Sequence, residues 1–247
     1  MKTNTFLILP LAFILMTIAA FGQGSKVIYD PLRNTIEKNY TDADEQIAKT
    51  KVLPKIQNRW SGETDCDGSN LNVISAVDGA FTKKGAAQRA IVYEMCQTGN
   101  GFANNGVAII ENGQIVSHFV TEGGWNINAA QVSDINRNGF DEIAIETSGG
   151  MHQGYSGSSL TVMEISAARV KSLGTFLIYT NECEGGPAEK YCDQSYKITA
   201  RSGSAPAFTR QKYNSKSSNE KPKWVKSGRP QTAKPIAGVN FKYTQVK

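Results

Sequence analysis

The chain has 247 residues, 40% hydrophobic and 20% charged, with a formal net charge of +5. These values place it among ordinary folded soluble chains and exclude classes defined by extreme composition. A chain of this length buries roughly 70–75% of its unfolded surface, so a core needs neither metal nor disulfide, and the 23 glycines point to turn-rich structure.

Residues 1–22 read as a secretory signal peptide. Lys2 precedes an apolar run from Phe6 to Phe21, with the small residues Ala19, Ala20 and Gly22 at its end near the expected cut. The run is short of the ~20 residues a membrane span needs, and Pro10 interrupts it. No transmembrane span is expected in the mature chain, which is expected to be secreted or periplasmic.

The segment 23–60 reads as helical. Leu32, Ile36, Tyr40, Ala43 and Ile47 recur at three- and four-residue spacing, the signature of one apolar stripe. Thr41 and Asp44 have the spacing of a capping box, dividing the segment near Tyr40. Pro54 is expected to limit the second helix.

Residues 61–200 read as a β domain. Apolar, β-branched runs occupy Arg89 to Met95, Gly106 to Glu111, Gln114 to Val120, Ile143 to Thr147, Leu160 to Ile165, Val170 to Tyr179 and Tyr196 to Ala200. Asn112-Gly113 between two of them is a strong short hairpin signal, because both residues tolerate positive φ. The fold class is therefore mainly β, an antiparallel sheet or a partial propeller-like or β-sandwich arrangement with an N-terminal helix. In an exported chain, Cys66, Cys96, Cys183 and Cys192 are expected to form two disulfides. Three connectivities are open; the short loop between Cys183 and Cys192 favours that pair, leaving Cys66 with Cys96.

Residues 201–247 differ in charge. They hold eleven Lys or Arg and one acid, Glu220, hence +10, whereas Gln23 to Ala200 carries fifteen bases and twenty-one acids, hence −6. Four prolines lie in this basic segment, and residues 214–235 read as a solvated linker, with Val239 to Val246 a closing strand. Such a run most often forms a solvated face, but it can also attract polyanions: cell-surface polysaccharide, lipid headgroups or another polyanion. Trp224 and Tyr213 lie among the lysines, but no nucleic-acid motif accompanies them and no specific nucleic acid is expected.

The most specific chemistry lies in Asp134-Ile135-Asn136-Arg137-Asn138-Gly139-Phe140-Asp141-Glu142. Oxygen-bearing side chains stand at positions 1, 3 and 5, Gly at 6 and acids at 8 and 9. Ca2+ takes six to eight hard oxygen ligands, and this alternation turns three of them inward. Gly139 permits the sharp turn. An EF-hand is excluded: its bidentate Glu belongs at position 12, which is Ile145, and the following residues are strand-like.

A loop of this kind running straight into a strand resembles the FG-GAP / VCBS-type repeat of extracellular proteins. The resemblance covers about fifteen residues and implies Ca2+ held by Asp134, Asn136, Asn138, Glu142 and the carbonyl of Phe140. Asp141 is left facing outward or making a supporting bond. Asn138 replaces the repeat's usual acid. A further echo, without ligands, is Val77-Asp78-Gly79-Ala80-Phe81-Thr82. A complete seven-bladed propeller does not fit this length.

Other constellations are weaker. His152, Tyr155 and Ser156 lie in a Gly- and Ser-rich stretch read as a candidate ligand loop. Gly154-Tyr155-Ser156-Gly157-Ser158 falls short of a nucleophile elbow, which also requires a following helix and a later His. His118 reads as a structural or half-exposed strand residue. No catalytic residue is assigned, and the protein is read as non-enzymatic: a secreted, calcium-binding, disulfide-stabilised binding or surface-interaction module. The alternative is a secreted hydrolase with carboxylate catalysis near the loop, for which a cleft holding Asp141, Glu146 or His152 would speak.

Overall fold

A computed structural model of the chain describes residues 24–33, 39–59, 71–99, 101–152, 155–181, 193–215, 223–237 and 241–247. The expected signal segment, Cys66, Cys183 and Cys192 lie outside these residues. The described chain opens on a strand, β1 (Ser25–Tyr29), not on a helix. Residues 31–33 form a turn, and Leu32, assigned to the apolar stripe, is 57% exposed.

The helical segment starts at the capping box. Asp44 N donates to Thr41 Oγ1 at 3.3 Å and Thr41 N donates to Asp44 Oδ2 at 2.8 Å, opening α1 (Asp42–Ile47). Pro54 does not end it. A π-helical turn (Ala48–Val52) leads into α2 (Leu53–Ile56), with Pro54 in the first turn of α2. Proline lacks an N–H and its ring crowds the carbonyl four residues earlier. A wider π turn relieves both demands, so the chain stays helical past it. Ala48, Val52 and Ile56 recur every four residues and are buried.

Antiparallel strands form the remainder, as the alternating runs predict. β2 (Asn72–Gly79), β3 (Gln88–Gly99), β4 (Phe102–Glu111) and β5 (Gln114–Gly123) make one meander. Asn112 (φ 50°) and Gly113 (φ 70°) close the β4–β5 hairpin, the conformation a two-residue turn requires to match strand twist. β6 (Trp125–Val132), β7 (Glu142–His152), β8 (Tyr155–Ile165) and β9 (Val170–Asn181) make a second meander. β10 (Asp193–Arg201), β11 (Ala207–Ser215) and β12 (Val225–Thr232) extend that sheet, and β1 pairs with β10. Within the stretch 214–235, expected as a linker, the described residues 214–215 and 225–232 are strand. β13 (Thr244–Gln245), shorter than the closing strand expected, pairs with β5 in the first sheet.

Strand alternation sorts side chains into three buried layers. Ile91, Tyr93 and Met95 of β3 face the helical segment, packing with Ala48, Val52 and Ile56. Ala90 and Val92, the alternate residues, meet Ile143, Ile145, Met163 and Ile165 of the second meander. On the far side of that meander, Ala144, Leu160 and Val162 pack with Ile198, Ala200 and Phe208. Phe176 and Phe208 stack there with ring centroids 4.6 Å apart. Each fully buried aliphatic or aromatic side chain contributes roughly 1.5–3 kcal/mol, so these layers, not helix propensity, dominate the fold. At the seam between the sheets, Ser75 Oγ donates to Asn39 Oδ1 at 2.7 Å and accepts from Ala129 N at 3.1 Å, while Asn39 Nδ2 donates to Ala129 O at 3.2 Å. Among the described residues no helix is long and apolar enough to cross a membrane.

Candidate metal centre

The Asp134–Glu142 loop joins β6 to β7. Gly139 takes φ +89° and Arg137 φ +61°, so the loop makes two left-handed turns. Its side-chain oxygens point inward, onto loop N–H groups. Asp134 Oδ1 accepts from Asn138 N and Asp134 Oδ2 from Gly139 N, both at 2.9 Å. Asn136 Oδ1 accepts from Asn138 N at 3.1 Å, and Asn138 Oδ1 from Phe140 N at 2.9 Å. Local bonds of this kind are what make Asp and Asn turn formers.

Three distant segments fix the loop. Ile135 is fully buried among the second meander's apolar residues, and its carbonyl accepts from Gly203 N at 2.8 Å. Asp141 turns toward the β2–β3 connection rather than outward: its Oδ2 accepts from Ala80 N at 2.8 Å and its N–H donates to Ala80 O at 3.0 Å. The echo segment Gly79-Ala80-Phe81-Thr82 is thus a wall of this site, with Phe81 buried beneath it. The third segment is β8. Asn136 Nδ2 donates to Glu164 Oε2 at 2.7 Å, and Asn138 Nδ2 donates to the same oxygen. Sequence reasoning missed Glu164. It lies 22 residues beyond Glu142, and only the β7–β8 register, which sets the two opposite each other, brings it to the loop.

Glu142 is the electrostatic anomaly. It is completely buried; its Oε2 accepts from Ile135 N at 2.9 Å, while its Oε1 has no hydrogen-bond partner. Burial above all, with the charges of Asp134 and Glu164 adding to it, pushes its carboxyl up to about 7. A buried carboxylate oxygen without a donor costs several kcal/mol by the order of magnitude for unpaired charged groups. Hard-cation chemistry fits this donor set: Asp134, Asn136, Asn138, Glu142 and Glu164 are all oxygen donors around one short loop. Among the described residues no three or more His, Cys, Asp or Glu are arranged to hold a metal ion by themselves, so amide and carbonyl oxygens must complete any shell.

The other candidates are scattered. His118 is buried, not half-exposed; its Nε2 lies 2.7 Å from Tyr93 Oη, and burial, with Lys55 and Arg59 nearby, lowers its pKa to about 4. Ser156 lies in β8, with strand on either side of it and no elbow. Its expected loop partners His152 and Tyr155 are in strands, their side chains outside the described set. Glu146, pushed up to about 7 by burial, lines a cavity of about 20 Å³ with Tyr29, Asn128 and Leu160, apart from Asp141. A cavity of that size takes about one water molecule. Cys96 is disulfide-bonded to a partner outside the described residues.

Fold and loop together define a class, mainly β and antiparallel with an acid- and amide-lined loop between two strands. Compared with family models, curated proteins and solved structures, the chain matches none.

Proposed function

We propose that the protein is an exported, calcium-stabilised β module that acts by binding rather than catalysis. The supporting observation is the partnerless, fully buried Glu142 Oε1 beside Asp134 and Glu164. A divalent cation there offsets three acids in one step and exchanges loop N–H contacts for metal bonds. In this reading Asp134, Asn136, Asn138, Glu142 and the Phe140 carbonyl are the ligands and Glu164 joins them from the neighbouring strand. The layered meanders belong to a partial propeller-like arrangement, Cys66 pairs with Cys96, and Cys183 pairs with Cys192. The partner is a polyanion bound by the basic carboxy-terminal segment.

The test is thermal unfolding of the full chain in calcium and in chelator. A ligand present at 100 times its Kd stabilises by about 2.7 kcal/mol. The melting temperature should therefore rise by several degrees with calcium, and Asp134→Ala should lose the response. Identical melting curves for the wild type in calcium and chelator would remove the metal from this reading.

A further inference from the structure

The carboxy-terminal basic segment is not a tail. Residues 207–215 and 225–232 of it are built into the second sheet as β11 and β12, and among the described residues β12 is that sheet's last strand, paired with β11. The described residues of 201–237 hold seven Lys or Arg and no acid. Lys223, Lys226, Arg229 and Lys234 are exposed, and none makes an ion pair with a described residue. Among the described residues these cations therefore have no acidic ion-pair partner.

An exposed edge strand normally invites another strand. This one resists it: Gly228 takes φ +68°, Pro230 has no N–H, and the flanking charges repel a protein edge. Lys223, Lys226 and Arg229 are spread over roughly 20 Å of extended chain at and before the start of β12, with the polar Ser227 between the last two and Gln231 and Thr232 following Arg229. We propose that the β12 edge docks a linear acidic polysaccharide, whose repeating anions meet the cations and whose hydroxyls meet the neighbouring polar groups. A nucleic acid fits less well. Single strands need free aromatic platforms, whereas Trp224 is engaged edge-to-face with Tyr179 at 6.4 Å and Tyr213 is buried. This inference rests on the binding-module reading but not on the calcium loop.

The experiment uses the full chain on immobilised heparin, a sulfated polysaccharide, with single-stranded DNA of equal charge as the second arm. The wild type should bind heparin in a salt-sensitive way and bind DNA more weakly. In Lys223→Gln/Lys226→Gln/Arg229→Gln the slope of log affinity against log salt should fall by about three, the number of cations removed. Arg229→Gln alone should give about one third of that. Melting temperatures measured alongside should be unchanged, since all three side chains are exposed. Absence of heparin binding by the wild type, an unchanged slope in the triple variant, or DNA binding as tight as heparin would each overturn the proposal. Retention is compared in calcium and in chelator, so failure here is separable from failure of the calcium response.

Discussion

Glu142 and Glu164 face each other as a cross-strand pair in the β7–β8 ladder. Like charges directly opposite on one sheet face destabilise a sheet, and here one of them is fully buried. Glu164 is held by amide donors from Asn136 and Asn138; Glu142 is left with one orphaned oxygen. Replacing Glu142 by Gln removes the buried charge. In chelator the variant should be more stable than the wild type, by on the order of 1–3 kcal/mol, read by urea unfolding. In calcium it should gain nothing further. A variant less stable than the wild type in chelator would show that Glu142 is adequately solvated as it stands.

Asp44 ties the helical segment to the first sheet. Arg89 Nε and Nη2 donate to its two carboxylate oxygens at 2.6 and 2.7 Å, and Arg89 Nη1 reaches Asp78 at 3.0 Å. Burial raises the Asp44 pKa, but the Arg89 and Thr41 hydrogen bonds outweigh it and leave it lowered. Arg89→Ala strands a buried carboxylate and should cost about 3–5 kcal/mol, measured by urea unfolding at pH 7. Because the folded pKa is lowered, the pair's stabilisation is present above the ordinary aspartate value of about 3.9 and is lost as pH falls below it. The difference between variant and wild type should therefore shrink in acid.

Glu146 gives the opposite pH dependence. Burial raises its pKa to about 7, above the unfolded glutamate value of about 4.3. The folded state then holds the proton more tightly, so stability is highest below about pH 4.3 and falls as pH rises to about 7. Glu146→Gln should raise the melting temperature at pH 8 by a few degrees and leave it unchanged near pH 4. Equal shifts at both pH values would point to packing instead of ionisation.

Two glycines with similar φ separate strain from function. Gly113→Ala meets only Lys51 Nζ at 3.9 Å, and Gly139→Ala meets the movable Lys84 side chain at 2.8 Å. Both should cost about 1–2 kcal/mol for left-handed backbone. Only Gly139→Ala should also reduce the calcium-induced rise in melting temperature.

Phe81 lies wholly buried between the two meanders, directly after the Ala80 peptide that holds Asp141. Phe81→Ala should cost about 3–5 kcal/mol. The calcium response should weaken with it, because the loop loses a wall; a fully retained response would show that the Ala80 contact is dispensable.

Where the sequence is locally explicit, it is sufficient. The Asn112-Gly113 turn, the Thr41–Asp44 cap and the apolar runs of β3, β4, β5, β7, β8 and β9 follow from φ tolerance, local hydrogen bonding and alternation that reports a buried face. β6 and β12 carried no such signal. Trp125–Val132 buries only Ala129 and Val132, and Val225–Thr232 is almost entirely exposed, so ladder bonds and, for β6, the seam to Ser75 and Asn39 add what side-chain patterns do not show. Pro54 has the local chemistry of a helix stop, and a π turn accommodates it. The loop's inward oxygens were legible in nine consecutive residues. Its setting was not: Ala80 lies 61 residues from Asp141, and Glu164 lies opposite Glu142 only through strand register. Short-range chemistry determined the strands, the turn and the loop. Layer stacking decided what surrounds the loop and turned an expected basic linker into a sheet edge, because burial and pairing are satisfied between segments that sequence keeps far apart.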